Sequence, residues 1–222
     1  MSDKRFYTQK PTLNFNADDV WTAACFAQRT NGTYIKNANA EEWKGHAVDT
    51  NRQLVDWALT EGKYSNQITD EDREQGKTVR KYYQALTFKI LKGIKLSEFD
   101  NTAMLIANRD IIDSNYDVAV MASLPSCYER SIKRDSVDQR ITFANGGYVG
   151  RPGDKVTHQV EVLKCFYSQK WDTHYVTGIT EAEQVFFFAY KNPIDLGSTI
   201  KIQGTVKGHR DNLTQLNRVK VI

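Results

Sequence analysis

Cysteine is scarce in this sequence. Cys25, Cys127 and Cys165 are the whole set in 222 residues, odd in number and far apart, with no Cys-x-x-Cys and no histidine at ligand spacing. A disulfide-built miniprotein is excluded, a metal site on cysteine is disfavoured, and the three are read as buried thiols. Long apolar runs are missing too. No stretch approaches the roughly 18 residues that a membrane-spanning helix needs, and none follows Met1-Ser2-Asp3-Lys4-Arg5-Phe6 to make a secretory signal, so the expected site of action is the cytoplasm and no membrane is expected as a partner. Nucleophile and nucleotide signatures are incomplete. Gly76-Lys77-Thr78 resembles the end of a phosphate-binding loop, but position 71, where the earlier glycine belongs, is Glu71. Ser123-Leu124-Pro125-Ser126-Cys127-Tyr128 has no G-x-S-x-G elbow and no nearby histidine to act as base. What remains is 40% apolar and 26% charged, the composition of a globular chain long enough for one large domain or two modest ones.

The charge is unevenly spread. Residues 1–140 hold 20 basic and 20 acidic side chains, whereas residues 141–222 hold 10 and 7, so the whole net charge of +3 lies in the last third. Toward the end, Lys201, Lys207, Arg210, Arg218 and Lys220 face only Asp211. A basic surface of this kind attracts a polyanion.

Residues 1–140 carry helical punctuation. Asn16 or Asp18 caps a segment with Val20, Trp21, Ala24 and Ala27, stopped by the turn Thr30-Asn31-Gly32-Thr33; Asn39 caps a second, with Trp43, Ala47, Leu54, Trp57 and Ala58 near one face. Thr69 caps the clearest helix, in which Val79, Tyr82, Tyr83, Leu86 and Ile90 repeat at the helical interval up to Gly93. Ser97 caps a segment with Phe99, Ala103 and Ile106, and a last helix covers Tyr116 to Met121 or Leu124 to Lys133, with Pro125 starting or interrupting it. The spacing predicts an N-terminal helical bundle.

Past Asn145-Gly146-Gly147 the apolar period changes to two. Val156 to Tyr167, His174 to Ile179, Gln184 to Tyr190, Thr199 to Lys207 and Leu213 to Ile222 read as strands joined by short turns. The fold class expected is α+β: a helical domain over 1–140, followed over 141–222 by a small five-stranded antiparallel β-barrel of the OB type. Alternation puts Val156, Val160, Val162 and Phe166 on one face, and Lys201, Gln203, Thr205 and Lys207 opposite Ile200, Ile202 and Val206, with Arg218 and Lys220 together on a neighbouring strand. In Val185-Phe186-Phe187-Phe188-Ala189-Tyr190 the purely apolar set, Val185, Phe187 and Ala189, is expected inside the barrel. Phe186, Phe188 and Tyr190 are then outside, as helix-packing residues or as a platform for bases.

The run Gly150-Arg151-Pro152-Gly153-Asp154-Lys155-Val156, with the ending Gly204-Thr205-Val206-Lys207-Gly208-His209 and Leu213-Thr214-Gln215-Leu216-Asn217-Arg218-Val219-Lys220, resembles the C-terminal β-module of proteins from the DNA replication and recombination cassettes of tailed bacteriophages. The resemblance covers roughly the last 75 residues of the sequence. It implies a virus-encoded protein that acts on DNA in the host cytoplasm, with single-stranded DNA and replication or recombination proteins as partners.

Three readings follow. In the first, Lys201, Lys207, Arg210, Arg218 and Lys220 neutralise phosphates while Trp171, Tyr175 and Tyr190 stack on bases, with no catalytic residue, metal or cofactor. In the second, the helical part is the interface of a replication accessory or of an inhibitor of a host protein. The third is a metal-dependent nuclease, for which Asp110, Asp113 and Asp117 at helical spacing are the candidate carboxylates.

Overall fold

The computed structural model describes residues 13–37 and 48–222. The chain divides between Ser131 and Ile132 into two compact units. The helix expected from the Asn39 cap through Trp43 and Ala47 lies outside the described residues.

In the first unit, α1 (Ala17–Asn31), α2 (Asn51–Thr60), α3 (Asp70–Leu91), α4 (Glu98–Ala107) and α5 (Asn115–Met121) surround one core, and the short strands β1 (Phe15–Asn16) and β2 (Ile111–Ile112) pair antiparallel. The caps are local sequence chemistry. Asn16 accepts from the Asp18 amide, Gly32 closes α1 at φ 68°, and Thr50 with Gln53 and Thr69 with Asp72 form capping boxes on α2 and α3. Trp21 stacks on Tyr83 at 6.2 Å, and the Tyr83 hydroxyl donates to the Leu124 carbonyl. The glycine of Gly76-Lys77-Thr78 lets α3 approach α1: a Cβ there would sit 3.1 Å from the backbone at Trp21 and Thr22. Cys25 is buried; Cys127 and Cys165 are only partly so.

Both alternatives for the last helix are realised, as α5 and as α6 (Leu124–Phe143), which opens with Leu124-Pro125 and runs across the division at Ser131. Asp110, Asp113 and Asp117 do not share a helix, since only Asp117 is in α5. Asp117 accepts from Arg109 at 2.5 Å and Asp110 from Arg80 at 3.1 Å, so two of the three carboxylates serve structural ion pairs.

The second unit is a closed barrel of β3 (Lys155–Ser168), β4 (Thr173–Ile179), β5 (Val185–Tyr190), β6 (Thr199–Arg210) and β7 (Leu213–Val221), in the order β3-β4-β5-β7-β6. It fits the OB architecture. Four pairs are antiparallel, and β5–β7 is parallel, so the barrel is mixed. Asp211 and Asn212, both at positive φ, form the tight β6–β7 turn.

Two alternation arguments fail here, each for a physical reason. Phe186 and Phe188 are 0% and 1% exposed and point into the barrel with Val160, Val162, Val176, Ile202, Val206 and Leu216. The barrel makes room for them with inward positions that lack side chains: a Cβ on Gly178 would meet Val160 at 3.0 Å, and one on Gly204 would meet Val219 at 3.0 Å. Val185 then points outward, where Val137 and Ile141 near the end of α6 and Ala144 just after it cover it together with Leu163 and Ile179. The second failure is in β3. A bulge between Val162 and Lys164 shifts the register, so Phe166 leaves the face of Val156, Val160 and Val162 and is 66% exposed.

Candidate nucleic-acid interface

The outward face of β3, β4 and β5 carries an aromatic group away from the residues that α6 covers. Phe166 pairs across with Tyr175, and Tyr175 stacks on Phe187 with ring centroids 5.7 Å apart and planes within 5°. Trp171, in the β3–β4 turn, is 63% exposed, and the Lys170 ammonium lies 5.0 Å from its ring. Tyr175 and Phe187 are each half-buried, and across β4–β5 they pair with Ala189, which is exposed, and Thr177, which is buried. The covered end of the face is held by polar ties as well as by apolar packing. Arg140 makes a two-point contact with Glu161 at 2.7 and 2.9 Å, which draws that carboxyl below its ordinary range, and Lys164 pairs with Asp138.

Where the barrel opens at the Tyr175 end, inward alternation brings Tyr167, His174 and Tyr190 into one cross-strand row. The Tyr167 hydroxyl donates to Asp172 at 2.7 Å, and this bond raises the phenol's pKa. Tyr190 packs partly against the barrel core. Of the three expected stacking residues, Trp171 and Tyr175 therefore lie on the outer face or its adjoining turn, while Tyr190 belongs to the rim.

The five cations are all exposed, and the barrel distributes them. Lys207 and Arg218 both sit at bulges: Lys207 is the extra residue on β6 between Val206 and Gly208, and β7 takes three steps from Asn217 to Lys220 while β6 takes two, with Arg218 at φ 53°. The second bulge interrupts the alternation that grouped Arg218 with Lys220. Gln215 links the Lys207 bulge to the aromatic face, since it pairs with Phe187 on one side and with Gly208 on the other. Two strand spacings, roughly 10 Å, separate those two neighbours. Because β5 and β7 run parallel, Arg218, two residues beyond the Leu216–Phe188 pair, lies toward the Tyr190 end of β5. Lys220 faces Gln203 of β6, and Lys201 faces Gln159 of β3, seven residues along that strand from Phe166. Arg210 precedes the β6–β7 turn and pairs with Asp211 at 2.9 Å. In register, Arg218 lies just past the β5–β7 pairing and Lys207 lies beside the β7 residues that pair with Phe187 and Phe188, whereas Lys201 and Lys220 lie at the end of the β6–β7 pair far from its turn.

Phe166 and Phe187 are the residues that alternation missed. The signal for Phe166 is the pair Val162-Leu163, two consecutive apolar residues that break an alternating strand; the signal for Phe187 is the pair of mid-strand glycines, Gly178 and Gly204, which mark where large side chains enter the barrel. Comparison of the chain with protein-family models, with curated proteins and with solved structures gives no match.

Proposed function

We propose that this protein binds single-stranded nucleic acid, DNA in the first instance, along the β4–β5 face of its barrel. The carrying observation is the parallel Tyr175–Phe187 stack beside exposed Phe166, on the second and third strands of a barrel with OB strand order. Those strands and the flanking loops are the surface that OB barrels offer to oligonucleotides. Stacking on aromatic faces tolerates any sequence, and nearby cations track the backbone. Trp171 extends the platform beyond the β3–β4 turn, and Lys207 and Arg218 supply phosphate contacts. The sequence resemblance adds a setting, phage DNA replication or recombination.

The test is a fluorescence-polarisation titration of labelled oligodeoxynucleotides at two salt concentrations, with and without magnesium. Salt-sensitive binding of single strands with the oligonucleotide left intact is the expected result. Degradation that requires magnesium favours the nuclease reading instead, and absence of binding favours the interaction module. That second reading has one observation of its own: Phe88, Leu91 and Ile94 are 65%, 75% and 52% exposed at the end of α3 and just beyond it.

A further inference from the structure

In the first unit, and independently of the barrel, α3 outruns the core it helps to build. Its buried stripe is Val79, Tyr83 and Leu86, and Ile90 continues that stripe at the helical interval, yet every residue from Thr87 to Lys95 is exposed. The last turn is apolar on more than the core side. At about 100° per residue, Leu91 and Phe88 carry the apolar arc from Ile90 round to the side away from Leu86, with Lys89 between Phe88 and Ile90. Gly93, at φ 77°, then stops the helix: its amide donates to the Ile90 carbonyl and the Ile94 amide donates to the Lys89 carbonyl, which holds Ile94 close to the last turn. A helical turn that is apolar nearly all round is ordinarily buried. Here four large apolar side chains, Phe88, Ile90, Leu91 and Ile94, are open, the kind of patch that marks an interaction surface.

The charge around the patch selects its occupant. Between Glu74 and Glu98 the sequence has no acidic residue and six basic ones, Lys77, Arg80, Lys81, Lys89, Lys92 and Lys95. Lys89, Lys92 and Lys95 make no ion pair among the described residues. A second copy of the chain would bring like charges together. A base platform needs flat rings, and three of the four apolar side chains are aliphatic. Protein interfaces favour arginine and are depleted of lysine. Lysines beside Phe and Leu are instead the composition of segments that lie in the headgroup region of a bilayer, where the lysine stems run along the apolar surface and the ammoniums reach the phosphates.

We propose that the end of α3 docks on an anionic lipid surface, with Phe88, Leu91 and Ile94 entering the boundary between headgroups and acyl chains and Lys89, Lys92 and Lys95 meeting lipid phosphates. Lying on a bilayer needs no spanning helix, and none is present among the described residues.

The test is sedimentation of the full chain with vesicles, one set an equimolar mixture of phosphatidylcholine and phosphatidylglycerol and the other phosphatidylcholine alone, at low and at physiological salt. Binding to the anionic set that weakens with salt, and is about tenfold or more tighter than to the neutral set, is the expected result. Phe88→Ser/Leu91→Ser and Lys89→Glu/Lys92→Glu should each weaken it by about tenfold or more, with circular dichroism and an unfolding curve confirming that both variants fold. The barrel variant Lys207→Glu/Arg218→Glu should bind the vesicles as the wild type does. Equal affinity for the two vesicle sets, or loss in the barrel variant and not in the two α3 variants, overturns the proposal. No sedimentation with the anionic vesicles also overturns it and leaves the end of α3 to a protein partner.

Discussion

At position 188 the phenyl ring is 1% exposed and lies in the barrel interior; at position 187 the ring stacks on Tyr175 outside. The two neighbours therefore separate stability from binding. Phe188→Ala should cost about 3–5 kcal/mol of unfolding free energy, the range for emptying a buried phenylalanine site. Phe187→Ala should leave most of that stability and cost about 1–3 kcal/mol of oligonucleotide binding. Denaturant titration and fluorescence polarisation on both variants check this. Asp72 gives a second prediction at this scale. Burial pushes its carboxyl up, but hydrogen bonds from Arg29 and Thr69 and the Arg29 charge outweigh burial and hold it below the ordinary range. A depressed folded pKa stabilises fully above the unfolded value, about 3.9, and the contribution is lost as pH falls through the folded value. The stability difference between the wild type and Asp72→Asn should be constant near neutrality and shrink below about pH 4. A difference that persists in acid would mean that the Arg29 pair contributes nothing through ionisation.

The crossing of α1 and α3 turns on Gly76, and intrinsic propensity gives the wrong sign for its replacement. In an isolated helix Gly→Ala gains about 1 kcal/mol. Here the new Cβ would lie 3.1 Å from the α1 backbone, which cannot rotate aside, so Gly76→Ala should destabilise by about 1–3 kcal/mol, the usual cost of overpacking. Thermal or denaturant unfolding decides the sign. The elements themselves were readable because capping residues and apolar periods are local: Asn16, Thr69 and Ser97 each cap the helix that their sequence announces, and every barrel strand lies within a few residues of its expected span, while the two-residue strands β1 and β2 carry no such signal. Side-chain direction was less legible. Leu163, Lys207 and Arg218 fall where bulges occur, and a bulge resets the face of everything beyond it. The inward turn of Phe186 and Phe188 depends on Gly178 across the β4–β5 hairpin and on Gly204 and the cover from α6, which are more distant in sequence. Of the candidate site, Trp171, which is exposed, and Tyr175, on the outward face, were legible as aromatics of the last third, while Phe166 and Phe187 were hidden by this parity.

For the whole molecule, register separates two pairs of cations, Lys207 and Arg218 nearer the β5–β7 pairing and Lys201 and Lys220 at the end of the β6–β7 pair far from its turn. Phosphate contacts carry affinity without sequence information, and each one lost reduces the salt slope by about one. Lys207→Glu/Arg218→Glu should therefore weaken binding to every oligonucleotide alike and flatten its salt dependence, whereas Lys201→Glu/Lys220→Glu should do so much less. Equal effects from the two pairs would count against a path along the β4–β5 face. The most direct measurement is a single-stranded DNA titration of Phe166→Ala/Phe187→Ala by fluorescence polarisation, with circular dichroism and an unfolding curve on the same sample. The predicted result is a loss of about 2–6 kcal/mol in binding, from two stacking contacts of 1–3 kcal/mol each, with the barrel still folded. A folded double variant that binds single-stranded DNA as tightly as the wild type would contradict the account.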